Sequence, residues 1–313
     1  MKEKIACIGA GTVGRGWATL FAMNGYQVSL YDLSPTVLCT ALEAIDQSLQ
    51  DLYAMGKITD VVSVRECITT TQDMTVALQG AVYAQENIPE IPELKKEIFS
   101  EMDKVADTGC ILASSTSEIP GSIFCADLDG RDRCLVAHPL NPPYLIPLVE
   151  ICPTPWTSAQ TIKKAREVLE GAGQAPIVVN KEVSGFIANR LQLAVLGEAL
   201  HLVGEGFCSA EDIDIAMKKG LARRWAVIGP FETGHLNASG GYKAYLNAYE
   251  ACHRKIIDNL NLSYEWSEAL INQIHDDLCK VTAPEDVSSR QAWRDRRLMT
   301  LSSHLEGEEK SLD

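Results

Sequence analysis

The chain is expected to be an α/β protein, with a Rossmann-type doubly wound, mostly parallel sheet followed by an all-helical C-terminal domain. Three observations lead there. Short apolar runs alternate with helical patterns up to about residue 182. A glycine-rich G-x-G-x-x-G stands at the exit of the first run. After Val183 the strand-like runs stop and only helical periodicity continues.

The elements follow in order. Ile5-Ala6-Cys7-Ile8 is apolar throughout, as strands buried on both faces are, and it ends in glycines. Trp17 to Met23 carries apolar residues at helical spacing, and Gly25 stops it. Tyr26 to Asp32 is a second strand. Ser34-Pro35 is a helix start, an N-cap followed by proline in the first turn, for a helix running toward Gly56. Ala81-Val82-Tyr83-Ala84 is a third strand, and a helix follows from Pro92 to Val105. Cys110 to Ala113 and Cys134 to Ala137 are further strands. Thr157 or Ser158 caps a helix ending near Gly171 or Gly173, and Ile177-Val178-Val179 is the last strand. Phe186 to Glu205 is then a long proline-free helix, and Ser209 caps another with Asp212 at the capping-box position. This places a boundary near residue 182, with domains 1–182 and 183–313. The polar tail, Glu306 to Asp313, is expected to fray.

Composition restricts function. The 313 residues are 46% hydrophobic and 22% charged, which suggests a soluble globular chain of about two domains. Lys and Arg number 28 against 42 Asp and Glu, a net charge of -14. Nucleic acid and anionic membrane surfaces attract basic proteins, so neither is an expected partner. None of the ten cysteines forms C-x-x-C, so the common zinc spacings are absent and no metal site is expected. Free thiols, no apolar run long enough to span a bilayer, and an N-terminal run that dissolves into glycines and Arg15 without a cleavage site point to the cytoplasm.

An anion must therefore be met by a local positive field. Gly9-Ala10-Gly11-Thr12-Val13-Gly14 supplies one, since it leaves a strand and opens a helix N-terminus. Gly9 allows the tight turn, Gly11 lets the backbone approach a pyrophosphate, and Gly14 lets helix pack on strand. Asp32, 23 residues after Gly9, ends the next strand and suits ribose hydroxyls. Its carboxylate repels a 2'-phosphate and no arginine follows it, so NAD is expected over NADP; the fingerprint alone also admits FAD.

Two strands end in polar residues where such sheets bind ligands. One runs into Ser114-Ser115-Thr116-Ser117. The other runs into His138, within Ala-His-Pro-Leu-Asn-Pro-Pro. Of six histidines this one alone sits at such a strand end, and neutral imidazole suits a base that takes a proton from an alcohol. Glu150, twelve residues on, is a candidate to hold the ring. The competing reading is an ordinary structural histidine.

Here the residues resemble a known family. The fingerprint, Ser-Thr-Ser at 115–117, His138-Pro-Leu-Asn141-Pro, Glu150 and Gly185-Phe-Ile-Ala-Asn189-Arg-Leu resemble the 3-hydroxyacyl-CoA dehydrogenase superfamily. The longer stretches Ala137 to Glu150, Gly220 to Thr233, His235 to Ala238 and Arg290 to Asp295 resemble its lambda-crystallin / L-gulonate 3-dehydrogenase branch. The resemblance covers nearly the whole chain. It implies His138 as general acid/base with Glu150 as its carboxylate partner. It implies that Ser117 and Asn189 hydrogen-bond the reacting hydroxyl and the imidazole, and that Glu90 and Lys95 contact the nicotinamide half of NAD. It also implies a homodimer formed through the helical domain, which would bind substrate as well. For Ser117 the alternative is a turn cap, for Asn189 a helix side chain with a local partner, and for Glu90 and Lys95 a solvated helix face.

Substrate class is read from the cations. A CoA ester brings a 3'-phosphate, which wants lysines in the helical pair after the second strand. Ser34 to Glu66 holds two bases, Lys57 and Arg65, against five acids, Glu43, Asp46, Asp51, Asp60 and Glu66. Arg224, before the apolar Trp225 to Ile228, can instead fork onto a small carboxylate, unless it pairs with a neighbouring acid. The expected reaction is NAD-dependent oxidation of a 3-hydroxyl, L-gulonate to 3-dehydro-L-gulonate. L-Carnitine and 3-hydroxybutyrate or its CoA thioester are alternatives, as is a crystallin-like structural role. Asn237-Ala238 after His235-Leu236 favours the gulonate side over the glycine pair that carnitine dehydrogenases tend to show. Tyr144-Leu145 and Ser239 to Tyr242 depart from the animal gulonate enzymes.

Overall fold

The structure is a computed structural model and describes residues 2–312; side chains from Glu306 onward, and so those of the polar tail, lie outside the described residues. The chain forms two compact units, residues 1–189 with 292–313, and residues 190–291.

The first unit runs β1 (Lys4–Ile8), α1 (Thr12–Met23), β2 (Gln27–Tyr31), α2 (Pro35–Ala54), α3 (Val61–Glu66), β3 (Ile68–Thr71), α4 (Met74–Leu78), β4 (Ala81–Glu86) and α5 (Pro92–Val105). It continues through β5 (Ile111–Ser114), α6 (Ser122–Cys125), β6 (Cys134–Pro139), β7 (Leu148–Pro153), α7 (Ala159–Gly171) and β8 (Ala175–Val178). The strands form one sheet in the order β3-β2-β1-β4-β5-β6-β7-β8. All neighbours are parallel except β6 and β7, which pair antiparallel. This is the expected doubly wound, mostly parallel sheet. Strand order reverses between β1 and β4, so a crevice opens there at the carboxyl ends. One core, on the side of α1, α2 and α7, gathers Trp17, Phe21, Leu49, Leu135 and Leu169; the other, on the side of α4 to α6, gathers Ile8, Leu78, Phe99, Leu112 and Phe124.

Local chemistry sets the boundaries. The Ser34 hydroxyl accepts from the Val37 amide with Pro35 in the first turn of α2, and Ser158 accepts from the Thr161 amide to start α7. Two strands lie outside the sequence expectation. β3 is Ile-Thr-Thr-Thr, where only Ile68 is buried, so hydrophobic patterning does not mark it. β7 carries Glu150 in an otherwise apolar run and follows β6 by a short return, which the alternation of strand and helix does not anticipate.

The second unit is helical: α8 (Ala188–Gly204, entered from the first unit), α9 (Ala210–Ala216), a π-helical turn at Met217–Leu221, α10 (Ala222–Trp225), α11 (Pro230–Leu236), α12 (Gly241–Ile257) and α13 (Glu268–Cys279). The expected capping box is present: the Ser209 hydroxyl accepts from the Asp212 amide, and the Asp212 carboxylate accepts from the Ser209 amide.

α14 (Val287–Leu312) differs from the expectation of one helical domain from 183 to 313. From Ala292 it groups with the first unit. Met299, 2% exposed, joins the α1–α2 core with Leu298 packed beside it, and the Lys57 ammonium donates to the Ser302 hydroxyl at 3.2 Å. Full burial of such a side chain stabilises by about 1.5–3 kcal/mol.

Candidate active site

Gly9 turns the chain out of β1 with φ +94°, a left-handed conformation that suits glycine. A Cβ on Gly9 would lie 2.9 Å from the Asn87 carbonyl after β4, so the turn sits tightly in the β1/β4 crevice. A Cβ on Gly14 would lie 1.9 Å from the Gly9 carbonyl, so helix and strand meet there with no room for a side chain. A Cβ on Gly11, by contrast, would meet nothing within 4 Å. Gly11 is the N-cap of α1, no side chain caps the helix, and its first turn holds no acid. The first-turn amides, those of Thr12 and Val13 among them, are therefore presented to open space, the cradle a pyrophosphate needs. Asp32 accepts from the Ala10 amide and the Ser34 amide, each at 3.0 Å, which fixes its carboxylate beside the turn while both oxygens retain lone pairs for ribose hydroxyls. The residues present fit a dinucleotide.

His138 lies near the end of β6, and the antiparallel register sets it directly opposite Glu150 on β7. His138 Nδ1 and Glu150 Oε2 are 2.8 Å apart. The pair is buried, at 5% and 1% exposure. Glu150 Oε1 accepts from the Ile187 and Ala188 amides at 2.8 and 2.9 Å. Burial pushes the Glu150 carboxyl up, but the bonds from His138, Ala188 and Ile187 outweigh it and hold the carboxyl below its ordinary value. A carboxylate in that state keeps the Nδ1 proton on the ring, which leaves Nε2 as the basic atom. Nε2 has no hydrogen bond among the described residues.

Gly185 and Phe186 turn the chain into α8 with φ of +72° and +47°. Phe186 is fully buried, and its ring lies 5.5 Å from the imidazole. A non-glycine residue in the left-handed region is strained, and the bonds and packing around it hold it there. The same turn brings Asn189 to Ser117, where its Nδ2 donates to the Ser117 carbonyl at 3.0 Å. The Ser117 amide donates to Glu90 Oε1. Ser117 is exposed, and its hydroxyl has no partner among the described residues.

Lys95 is not on a solvated helix face. It is 1% exposed, and its ammonium donates to both oxygens of Glu86, at 3.0 and 3.1 Å, and lies 3.3 Å from Glu90. Glu86, at the end of β4, escaped sequence reasoning. Its carboxylate also accepts from the Ser114 hydroxyl at 2.5 Å and the Ile88 amide at 2.6 Å. Burial raises the Glu86 carboxyl, and Lys95, Ser114 and Ile88 oppose it. Burial prevails, so the carboxyl lies above its ordinary value, with three donor partners around it.

A second network lies beside it. Gln85 donates to the Ser115 hydroxyl at 2.7 Å and to the Ala137 carbonyl, next to His138, at 3.1 Å. It accepts from the Tyr83 hydroxyl at 2.7 Å. Ser115 donates to Asn87 at 2.7 Å and accepts from the Trp17 indole at 3.0 Å. The available signal was Gln85-Glu86-Asn87, three polar residues closing an apolar strand.

Arg224 ends in the second unit on α10, just after the π-helical turn, and is exposed. Its guanidinium has no acidic partner within 4 Å among the described residues. Pairing with a neighbouring acid, the structural reading of this arginine, is not what the second unit contains.

A dinucleotide crevice beside a histidine held by a carboxylate defines an NAD-dependent oxidoreductase acting on CH–OH groups. The chain belongs to the 3-hydroxyacyl-CoA dehydrogenase family: the NAD binding domain of that family matches residues 4–183, and its C-terminal domain matches residues 185–266. It is 40% identical to the lambda-crystallin homolog of Homo sapiens over 303 residues, 95% of each chain. An L-carnitine dehydrogenase of Streptomyces coelicolor is 36% identical over 244 residues, 78% of this chain and 76% of that one. Among solved structures, an NAD+-dependent 5-formyl-3-hydroxy-2-methylpyridine 4-carboxylic acid 5-dehydrogenase superposes with a TM-score of 0.85 and 29% identity, over 98% of this chain and 99% of the other.

Proposed function

We propose that the enzyme oxidises the 3-hydroxyl of a small free hydroxy acid, L-gulonate to 3-dehydro-L-gulonate. The observation that carries this is Arg224: a guanidinium without an acidic partner in its own unit is suited to a substrate carboxylate. The likeness to a dehydrogenase whose substrate is itself a carboxylic acid supports the same class. The bases of the α2–α3 segment are engaged elsewhere, Arg65 on Asp46 at 2.8 Å and Lys57 on Ser302, which leaves a poor clamp for a CoA phosphate.

In this reading the backbone of Gly9, Gly11, Thr12, Val13 and Gly14 receives the pyrophosphate and Asp32 the ribose. Glu90, held by Lys95, faces the nicotinamide half. NAD, when bound, accepts the hydride. His138 Nε2 takes the hydroxyl proton, and Glu150 stabilises the imidazolium that results. The Ser117 hydroxyl orients the reacting oxygen, and Asn189 fixes the Ser117 loop. Residues 1–182 carry the cofactor, and the helical residues 190–291 supply the substrate carboxylate site and the dimer contact. The partner is a second copy of this chain. The second unit buries only two large apolar side chains, Val203 and Leu270, while Leu191, Leu193, Phe207, Phe231 and Ile257 stand exposed. A helical unit of that size needs a covering surface.

L-Carnitine is the second reading. The second unit holds a row of rings, Phe231–Tyr242 at 5.8 Å, Tyr242–Tyr245 at 6.2 Å and Tyr245–Tyr249 at 5.2 Å, which offers π faces to a quaternary ammonium. The carnitine dehydrogenase relative accords with it. The test is Arg224→Met: KM for hydroxy acids should rise at least about tenfold, with CoA esters spared. Equal loss on both substrates would make Arg224 structural.

A further inference from the structure

β5 stops at Ser114, opposite Val136, while β6 continues through Ala137 and His138 to Pro139. That last stretch of β6 has a strand on one side only, β7. Leu140 donates to the Leu148 carbonyl at 3.4 Å, and bonded pairs alternate along an antiparallel ladder, so His138 bonds toward β7 and Ala137 faces the side that β5 has left. The Thr116 amide, next in line after β5, has turned back to the Ser114 hydroxyl at 3.1 Å.

The Gln85 side chain fills the gap. From β4 it reaches across β5 and donates to the Ala137 carbonyl at 3.1 Å, the peptide group that leads into His138. A carbonyl can only accept, so this contact fixes which end of the amide points there. The second amide proton goes to the Ser115 hydroxyl at 2.7 Å, and the amide oxygen accepts from the Tyr83 hydroxyl at 2.7 Å. Gln85 is fully buried. The same bonds lead on to the dinucleotide crevice. Ser115 donates to the Asn87 side chain at 2.7 Å and accepts from the Trp17 indole of α1 at 3.0 Å. The Asn87 amide donates to the Ile8 carbonyl at the end of β1 at 2.7 Å, and the Asn87 carbonyl abuts Gly9. One connected set of bonds thus joins the Gly9 turn and α1 to the peptide before His138.

We propose that Gln85 is a positioning residue for the oxidation: it replaces the missing end of β5 and holds the His138 imidazole in a fixed place relative to the cofactor crevice. The crevice sets the hydride acceptor and β6 sets the proton acceptor, so a shift in the end of β6 takes one out of register with the other. A misplacement of about 1 Å can cost on the order of 10²-fold in rate. The role rests on the reading of His138 as the base.

Gln85→Met keeps the length of the side chain and removes its donors. Wild type and variant are compared in a single turnover with saturating NAD, using whichever of L-gulonate, L-carnitine, L-3-hydroxybutyrate and 3-hydroxybutyryl-CoA the wild type oxidises fastest. The rate constant of NADH formation should fall about tenfold or more, with KM for substrate and affinity for NAD within about twofold of wild type. A purely structural loss lowers the amplitude, through fewer folded molecules, and leaves the rate constant in place. In NMR spectra of histidine-labelled protein without NAD, the Nδ1–H signal that His138→Gln abolishes should move in Gln85→Met. Gln85→Asn, one methylene shorter and so short of Ala137, should behave alike and decides if Gln85→Met does not fold. A rate constant within about twofold of wild type, or an unmoved Nδ1–H signal, overturns the role of Gln85. Full activity in His138→Gln overturns instead the reading of His138 as the base.

Discussion

His138 stood out in the sequence because it closes an apolar strand in a proline-rich loop, and Glu150 because it follows twelve residues on, after the apolar Leu148-Val149. The antiparallel register explains why twelve residues separate them: β6 and β7 return on each other and set the two side chains face to face. His138→Gln should lower turnover by roughly 10²–10⁴-fold while NAD binding, measured by fluorescence titration, stays near wild type. Activity near wild type would remove the imidazole from the chemistry. Glu86 and Phe186 were not legible in the same way. A carboxylate at a strand end resembles any solvated acid until its partners are known, and Lys95 stands nine residues further along. Phe186 follows a glycine and resembles an ordinary core residue; its left-handed backbone is a product of tertiary packing.

At the scale of elements, the helix starts were legible because capping is local chemistry. Ser34-Pro35, Ser158 and the Ser209–Asp212 box each satisfy orphan amides within three residues. The strands of the parallel sheet were legible because burial on both faces leaves apolar runs. β3 was not, since a threonine-rich strand with one buried residue carries little hydrophobic signal. β4 was legible only to Ala84, because the polar Gln85 and Glu86 disguise its carboxyl end. Glu86 ties β4 to β5 through the Ser114 hydroxyl, and Gln85 ties it to Ser115 just after β5 and to the Ala137 carbonyl of β6. Gln85→Leu should cost about 1–3 kcal/mol by leaving buried polar atoms unmet, read as a lower Tm in thermal unfolding. An unchanged Tm would mean that the network adds nothing to strand alignment.

For the whole molecule, the change of periodicity near residue 182 led to an expected boundary there; the compact units instead divide at residues 189/190 and 291/292, and the family models match residues 4–183 and 185–266. The return of α14 was not visible, because a mostly polar helix with one anchoring methionine gives no long-range cue. No helix among the described residues is long and apolar enough to cross a membrane. The sparse core of the second unit leads to a further expectation. Sedimentation should give about twice the 34.2 kDa chain mass, with Tm rising with protein concentration. A monomer at micromolar concentration would leave the apolar helices unexplained.

The most direct test is NADH formation at alkaline pH with L-gulonate, L-carnitine, L-3-hydroxybutyrate and 3-hydroxybutyryl-CoA compared side by side. A free acid should give the highest kcat/KM, with L-gulonate first. A higher value for the CoA thioester would contradict the Arg224 carboxylate site and place the enzyme with the 3-hydroxyacyl-CoA dehydrogenases that act on thioesters.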